Sequence, residues 1–251
     1  YINNKFYIEK KNVKSLAEKF NTPLYCYSFK NLKTNIQNFK KTFKSISPLI
    51  CFSVKSNSNV YLLKEIKKLG LGADVVSKGE LHASLKAGIS RNKIVFSGVG
   101  KTEEEIEYAI RKNILLINSE SFSEVLKIEE IEKKEYKLFN IGLRLNPDTD
   151  AKTLKQISTG KSENKFGVDE KTFIKIINLM KKSKFIRIKC LSVHIGSQIL
   201  NHKPYEKMLG VLDKLLKRLK YKFDIIDLGG GMGINYEKNN RKVNYNEYKK
   251  S

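Results

Sequence analysis

The stretch Leu49–Val76, LICFSVKSNSNVYLLKEIKKLGLGADVV, contains an apolar run, a polar turn, a helical pattern and a second apolar run. Strand, helix, strand in that order is the βα unit of a parallel sheet. The alternation continues along the chain. Beyond 49–54 and 72–76, strand candidates fall at 93–97 (KIVFS), 114–118 (ILLIN), 138–145 (LFNIGLRL), 188–194 (IKCLSVH) and 224–228 (DIIDL). Seven such units in about 200 residues predict an α/β fold of the TIM (β/α)8 type, because barrels of that class take roughly 250 residues for eight strands. Nothing after Leu228 supplies an eighth strand, so the expected barrel is incomplete.

Between the strands the helical signals are readable. Thr102 followed by Glu105 forms a capping box, and Phe29, Leu32, Ile36, Phe39 and Phe43 recur at helical spacing before the first strand. Residues 169–182 and 204–219 repeat the amphipathic pattern, and NYNEYKKS (244–251) reads as the start of another helix. Residues 1–28 stand outside the repeat, with strand-like KFYIE (5–9), a short helix over Val13–Phe20 and strand-like LYCYS (24–28). The expected division is therefore 1–28 as an N-terminal segment and 29–251 as the barrel.

Composition narrows the class. A chain of 251 residues with 40% hydrophobic content can bury a proper core. It has no apolar run of about eighteen residues for a membrane span, and its start lacks the apolar stretch of a secretory signal, so a soluble, cytoplasmic protein is expected. Cys26, Cys51 and Cys190 stand far apart without CxxC spacing, which argues for reduced thiols and against a zinc site or a disulfide framework. The formal charge of +23 raises the question of nucleic acid. Lysines are spread over nearly every segment rather than clustered, so they read as a solvated surface, with no nucleic-acid or membrane partner.

In barrels of this type active groups sit at the C-terminal ends of the strands. Lys55 follows the first barrel strand; it is either a surface charge ending a strand or a partly buried amine suited to attack on a carbonyl. HIGSQ (194–198) ends the sixth strand, where His194 can stack on a planar ring or serve as an acid and Ser197 can offer a hydroxyl, unless the histidine is a satisfied core residue. DLGGGMGI (227–234) ends the seventh, and Gly229, Gly230 and Gly231 let backbone N–H groups approach an anion such as phosphate. Asp74, with Ser77 and Glu80 after the second strand, either pairs with an amine or belongs to a helix approach. Arg144 on the fifth strand, if inward, needs an anionic partner. The loop STGKSENKFG (158–167) reads as a shaped binding loop. An amine, a ring-stacking histidine and a phosphate-gripping loop at one barrel mouth are the protein's share of a pyridoxal 5'-phosphate site.

With these motifs in view, the sequence resembles the alanine-racemase-like, fold-type III family of pyridoxal-phosphate decarboxylases. FSVKSN (52–57) matches the family's lysine motif, Gly72–Leu81 and Lys93–Thr102 match two further segments, and HIGSQ and GGGMGI complete the set. NPDTDAKTLKQISTGKSENKFG (146–167) is the most diagnostic stretch. The resemblance implies that Lys55 holds the cofactor covalently, that His194 stacks on its ring, and that Ser197 with Gly229, Gly230 and Gly231 holds its phosphate. It places Asp74 and Arg144 near the lysine and the ring. It implies decarboxylation of meso-2,6-diaminopimelate to L-lysine in a homodimer, with arginine, ornithine or carboxynorspermidine as alternative substrates and a non-catalytic remnant as a further alternative. Two positions depart from the family pattern: Ser56 where alanine is usual and Leu154 where histidine is usual. Family members also continue into an eighth strand and a C-terminal β domain, which residues 1–28 would join. The resemblance therefore implies a truncated copy with weak or no activity by itself.

Overall fold

Short elements come first in the computed structural model, which describes residues 2–135, 138–150, 159, 166–236 and 244–251. Strands β1 (Tyr7–Ile8) and β2 (Lys11–Asn12) pair antiparallel. Helix α1 (Val13–Phe20) starts where the Asn12 side chain accepts from the N–H groups of Lys14 and Ser15. Helix α2 (Phe29–Thr42) is capped by Ser28, whose hydroxyl also donates to Glu9 Oε1 at 2.8 Å. The strand-like stretch at 24–28 forms no ladder among the described residues. Its alternating Tyr and Cys satisfy the period of a strand, but a strand also needs a neighbour. Contacts divide the chain into two compact units, Tyr1–Pro48 and Leu49–Ser251.

The second unit holds every expected barrel strand. They are β3 (Cys51–Ser53), β4 (Gly72–Val75), β5 (Ile94–Phe96), β6 (Leu116–Ser119), β7 (Phe139–Leu145), β8 (Ile186–Val193) and β9 (Ile225–Asp227). They pair in parallel and in chain order, so β3 and β9 end the sheet with one neighbour each among the described residues. The helices between them are α3 (Val60–Lys68), α4 (Lys78–Lys86), α5 (Glu103–Lys112), α6 (Phe122–Glu135), α7 (Glu170–Met180) and α8 (Lys203–Arg218), followed by α9 (Tyr245–Lys250). This is an incomplete (β/α) barrel. Thr102 and Glu105 form their reciprocal capping box at the head of α5. Asn59, Ser77 and Asp169 cap α3, α4 and α7. Ser77 is thus a helix cap, and Glu80 returns to accept from the Val76 N–H at 2.9 Å.

Strand side chains alternate between faces with a period of two, and the register turns that period into layers. On one face Val95, Leu116 and Cys190 form an apolar cluster with Cys51 and Ile225 against it. Two residues further along those strands and β4 come Asp74, Ser97, Asn118, Ser192 and Asp227. Two further still come Lys55, Glu120 and His194, with Arg144 beside them. The opposite face supplies Leu143, Leu145, Leu191 and Val193, all buried.

Candidate active site

The middle layer is a chain of hydrogen bonds across five strands. Ser97 donates to Asp74 Oδ1 at 2.6 Å, and Asn118 Nδ2 donates both to Ser97 Oγ at 3.3 Å and to Asp227 Oδ2 at 2.9 Å. Ser192 also donates to Asp227 Oδ2, at 3.1 Å. Two carboxylates are thus bridged by neutral groups and no cation. Burial chiefly pushes the Asp74 carboxyl up to about 6; Asp227 and Glu80 add to that, while the Ser97 hydrogen bond and the Lys55 charge oppose it. The same buried negative potential reaches the layer below, where burial and the two aspartates push the Cys51 thiol up to about 12.

In the upper layer Arg144 does meet an anion. Its Nη1 donates to Glu120 Oε1 at 2.8 Å and Oε2 at 3.0 Å, and its Nη2 to the His194 carbonyl at 3.3 Å. Glu120 further accepts from the N–H groups of Gly98 and Gly167, both at 3.1 Å. With 9% and 2% of their side chains exposed, the two charges stand only because nearly every polar atom is partnered. The Arg144 guanidinium also lies 4.9 Å from the centre of the Phe166 ring. A second buried pair, Lys101 with Glu124 at 2.6 Å, anchors the loop after β5, and Glu124 accepts the Glu120 N–H at 2.9 Å.

His194 is half-buried, and its pKa falls to about 4, first through burial and then through the Arg144 and Lys55 charges. Its Nδ1 accepts from the Gly230 N–H at 3.3 Å, which places the remaining ring proton on Nε2. The ring is therefore neutral at pH 7 with a fixed tautomer. Its carbonyl accepts from Thr159 Oγ1 at 3.0 Å.

The three glycines differ. Gly229 has φ +66° and a Cβ there would lie 2.6 Å from the Val193 carbonyl; its N–H donates to Asp227 Oδ1 at 2.9 Å. Gly231 has φ +100°, and a Cβ there would lie 2.0 Å from the Gly196 carbonyl, so this loop presses against the loop carrying Ser197. A Cβ on Gly230 would meet nothing within 4 Å, which leaves open space beside the loop. Two of the three N–H groups expected to face an anion are thus turned inward, to Asp227 and His194.

Lys55 lies in a single 3-10 turn after β3, and its charge bears on both Asp74 and His194. It is exposed, and among the described residues β3 has a neighbour on one side only. Ser197 is exposed as well. The structure gathers Lys55, Asp74, Arg144, His194 and the glycine loop at the C-terminal edge of one sheet. Of the expected loop 158–167, only Thr159, Phe166 and Gly167 are among the described residues; the remainder and Leu154 lie outside them. Glu120, Ser97, Asn118, Ser192 and Asp227 were missed from sequence, although a two-residue period of polar side chains running off the strand ends marks all five. A groove of about 520 Å³ lined by Glu120, Phe122, Asn146, Pro147 and Gly167 opens beside the Arg144–Glu120 pair.

Residues 29–251 match the family model described as pyridoxal-dependent decarboxylase, pyridoxal binding domain. The chain belongs to this family. Diaminopimelate decarboxylase of Helicobacter pylori (strain J99) is 43% identical over 229 residues, which are 90% of this chain and 56% of that protein. The chain thus spans little more than half the length of the curated relatives it matches. Among solved structures, diaminopimelate decarboxylase from Helicobacter pylori complexed with L-lysine superposes with a TM-score of 0.90 at 41% identity, covering 95% of this chain and 61% of that one. The enzyme from M. jannaschii, also with L-lysine, gives a TM-score of 0.90 at 32% identity, covering 98% and 59%. For a pyridoxal-dependent decarboxylase the residues present fit the cofactor: a lysine amine at a strand end, a neutral imidazole for a ring, and a loop with an open side at Gly230.

Proposed function

We propose that the protein is a carboxy-lyase that uses pyridoxal 5'-phosphate to remove carbon dioxide from meso-2,6-diaminopimelate, leaving L-lysine. The observation that carries this reading is the convergence of Lys55, Asp74, His194 and the glycine loop on one sheet edge, in a chain whose relatives at about 40% identity bear that activity's name. When bound, the cofactor supplies an aldehyde for an amine and an electron sink for the pair left behind by departing carbon dioxide.

The chain's own residues do the rest. Lys55 would be the amine that holds the aldehyde, and the Asp74 carboxyl, raised chiefly by burial to about 6, lies within reach of the Lys55 charge. His194 would pack against the ring as a neutral imidazole and add no positive charge there. Arg144, locked by Glu120, fixes the His194 backbone from behind. Ser197 and the open side of the glycine loop would hold the phosphate. In this reading residues 29–251 carry the cofactor, residues 1–28 pair with a β domain, and the whole protein works as a homodimer in the cytoplasm; family resemblance supports these three points. Among the described residues no helix is long and apolar enough to cross a membrane.

The test is product analysis. Incubated with pyridoxal phosphate, the full-length protein is expected to release L-lysine from meso-diaminopimelate and nothing from ornithine or arginine, with residues 1–251 alone giving weak or no turnover and Lys55→Ala abolishing it. Putrescine or agmatine as the product would overturn the substrate assignment.

A further inference from the structure

Two tyrosines stand behind the glycine loop. Tyr205, in the first turn of α8, donates its hydroxyl to the Gly230 carbonyl at 2.7 Å. Tyr248, on α9, donates to the Ile199 carbonyl at 2.6 Å, and the two rings meet edge-on with centroids 5.3 Å apart. Burial pushes the Tyr205 phenol well above its usual range and Tyr248 up to about 12, so both remain protonated donors. Ile199 in turn is stitched to the loop: its N–H donates to the Gly231 carbonyl at 2.9 Å, and its carbonyl accepts from the Gly233 N–H at 2.9 Å.

The geometry of one peptide gives this brace a direction. The Gly230–Gly231 bond is trans, the cis bond among the described residues being Thr22–Pro23. A planar trans peptide sends its C=O and its N–H to opposite sides. With the Gly230 carbonyl gripped by Tyr205, the Gly231 N–H is aimed away from it. The N–H groups of Gly229 and Gly230 are committed to Asp227 and His194. Among the described residues, Gly231 is the one of the three without such a commitment, and it adjoins the open space at Gly230.

We infer that Tyr205 is a positioning residue for the cofactor's phosphate: by holding the Gly230 carbonyl it aims the Gly231 N–H at the anion, beside the Ser197 loop. This rests on reading the loop as the phosphate grip of a pyridoxal-phosphate site.

The experiment titrates the protein and its Tyr205→Phe variant with two probes, pyridoxal phosphate and pyridoxal, which lacks the phosphate, following the absorbance of the bound aldehyde. The variant keeps the ring and loses one hydrogen bond, so its Kd for pyridoxal phosphate should rise roughly threefold to tenfold. Its Kd for pyridoxal should stay unchanged. A merely structural role would weaken both probes alike, and that result, or an unchanged Kd for pyridoxal phosphate, overturns the inference. Tyr248→Phe, which cuts the neighbouring brace at Ile199, reads the same ratio should Tyr205→Phe not be recovered folded. Loss confined to the phosphorylated probe supports the inference there too, and equal loss overturns it. Wild-type protein that binds neither probe overturns the cofactor reading itself, and this inference with it.

Discussion

The middle and the ends of the sheet are built differently. β7 and β8 run for seven and eight residues and are buried along almost their whole length. β3 and β9 run for three residues each and none of their residues is fully buried. The candidate site draws on both. Arg144 and His194 come from the middle, while Lys55 and the glycine loop come from the ends. The groups that orient are thus set in the most buried part of the sheet, and the groups that would hold the cofactor covalently and by its phosphate sit on strands that have a single neighbour among the described residues.

Removing one partner of the central ion pair gives the largest expected effect. Glu120→Ala strands the Arg144 charge and leaves the Gly98 and Gly167 N–H groups without their acceptor. Leaving a buried charge unpaired costs about 3–5 kcal/mol. Urea denaturation monitored by far-UV circular dichroism measures it, and a loss below about 1 kcal/mol would show that the pair is solvated, contrary to its burial.

Truncation on the two kinds of strand sharpens the contrast. Leu143 on β7 is 0% exposed, whereas Ile226 on β9 is 42% exposed. Leu143→Ala should cost about 3 kcal/mol and Ile226→Ala no more than about 1 kcal/mol, because only the first leaves a cavity. Equal losses from the same denaturation series would erase the distinction between middle and end.

Titration separates Asp74 from His194. The Asp74 carboxyl binds its proton more tightly folded than unfolded, so its contribution falls as pH rises from about 4 to about 6. His194 binds its proton less tightly folded, so its contribution rises from pH about 4 to about 6.5. Each is on the order of 3 kcal/mol, and in wild-type protein the two nearly offset. Asp74→Asn keeps an acceptor for Ser97 and should reveal stability that climbs with pH through this window. His194→Gln should reveal stability that declines. Stability curves of the two variants with the same slope would contradict the assigned directions.

The layers explain how much could be read beforehand. All seven strands were legible because each is an apolar run of limited length set between helical patterns, and the helix over Val13–Phe20 was legible from its own period. Lys55, Arg144, His194 and the glycines announce themselves by residue type at strand ends. Their partners do not: Asn118 and Asp227 meet at 2.9 Å although 109 residues apart in the chain, and such a pairing depends on register between strands that the sequence does not print. An inward arginine signals that some carboxylate must face it without saying that Glu120 is the one. Sequence leaves Lys55 open between a surface charge and a partly buried amine for a related reason, since the depth of a strand end depends on what lies alongside it.

The smallest expected effect on stability falls at Gly230, and it separates folding from binding. Gly229 and Gly231 have positive φ and no room for a Cβ, so their glycines are explained by the chain itself. Gly230 has neither constraint. By itself the chain would accept alanine there, and Gly230→Ala should change stability by less than about 0.5 kcal/mol. The methyl group would project into the space beside the loop. If that space receives the cofactor's phosphate, the same variant should bind pyridoxal phosphate markedly less well while melting at the wild-type temperature. If it binds the cofactor as wild type does, the phosphate does not lie against Gly230, and the open side of the loop is not its seat.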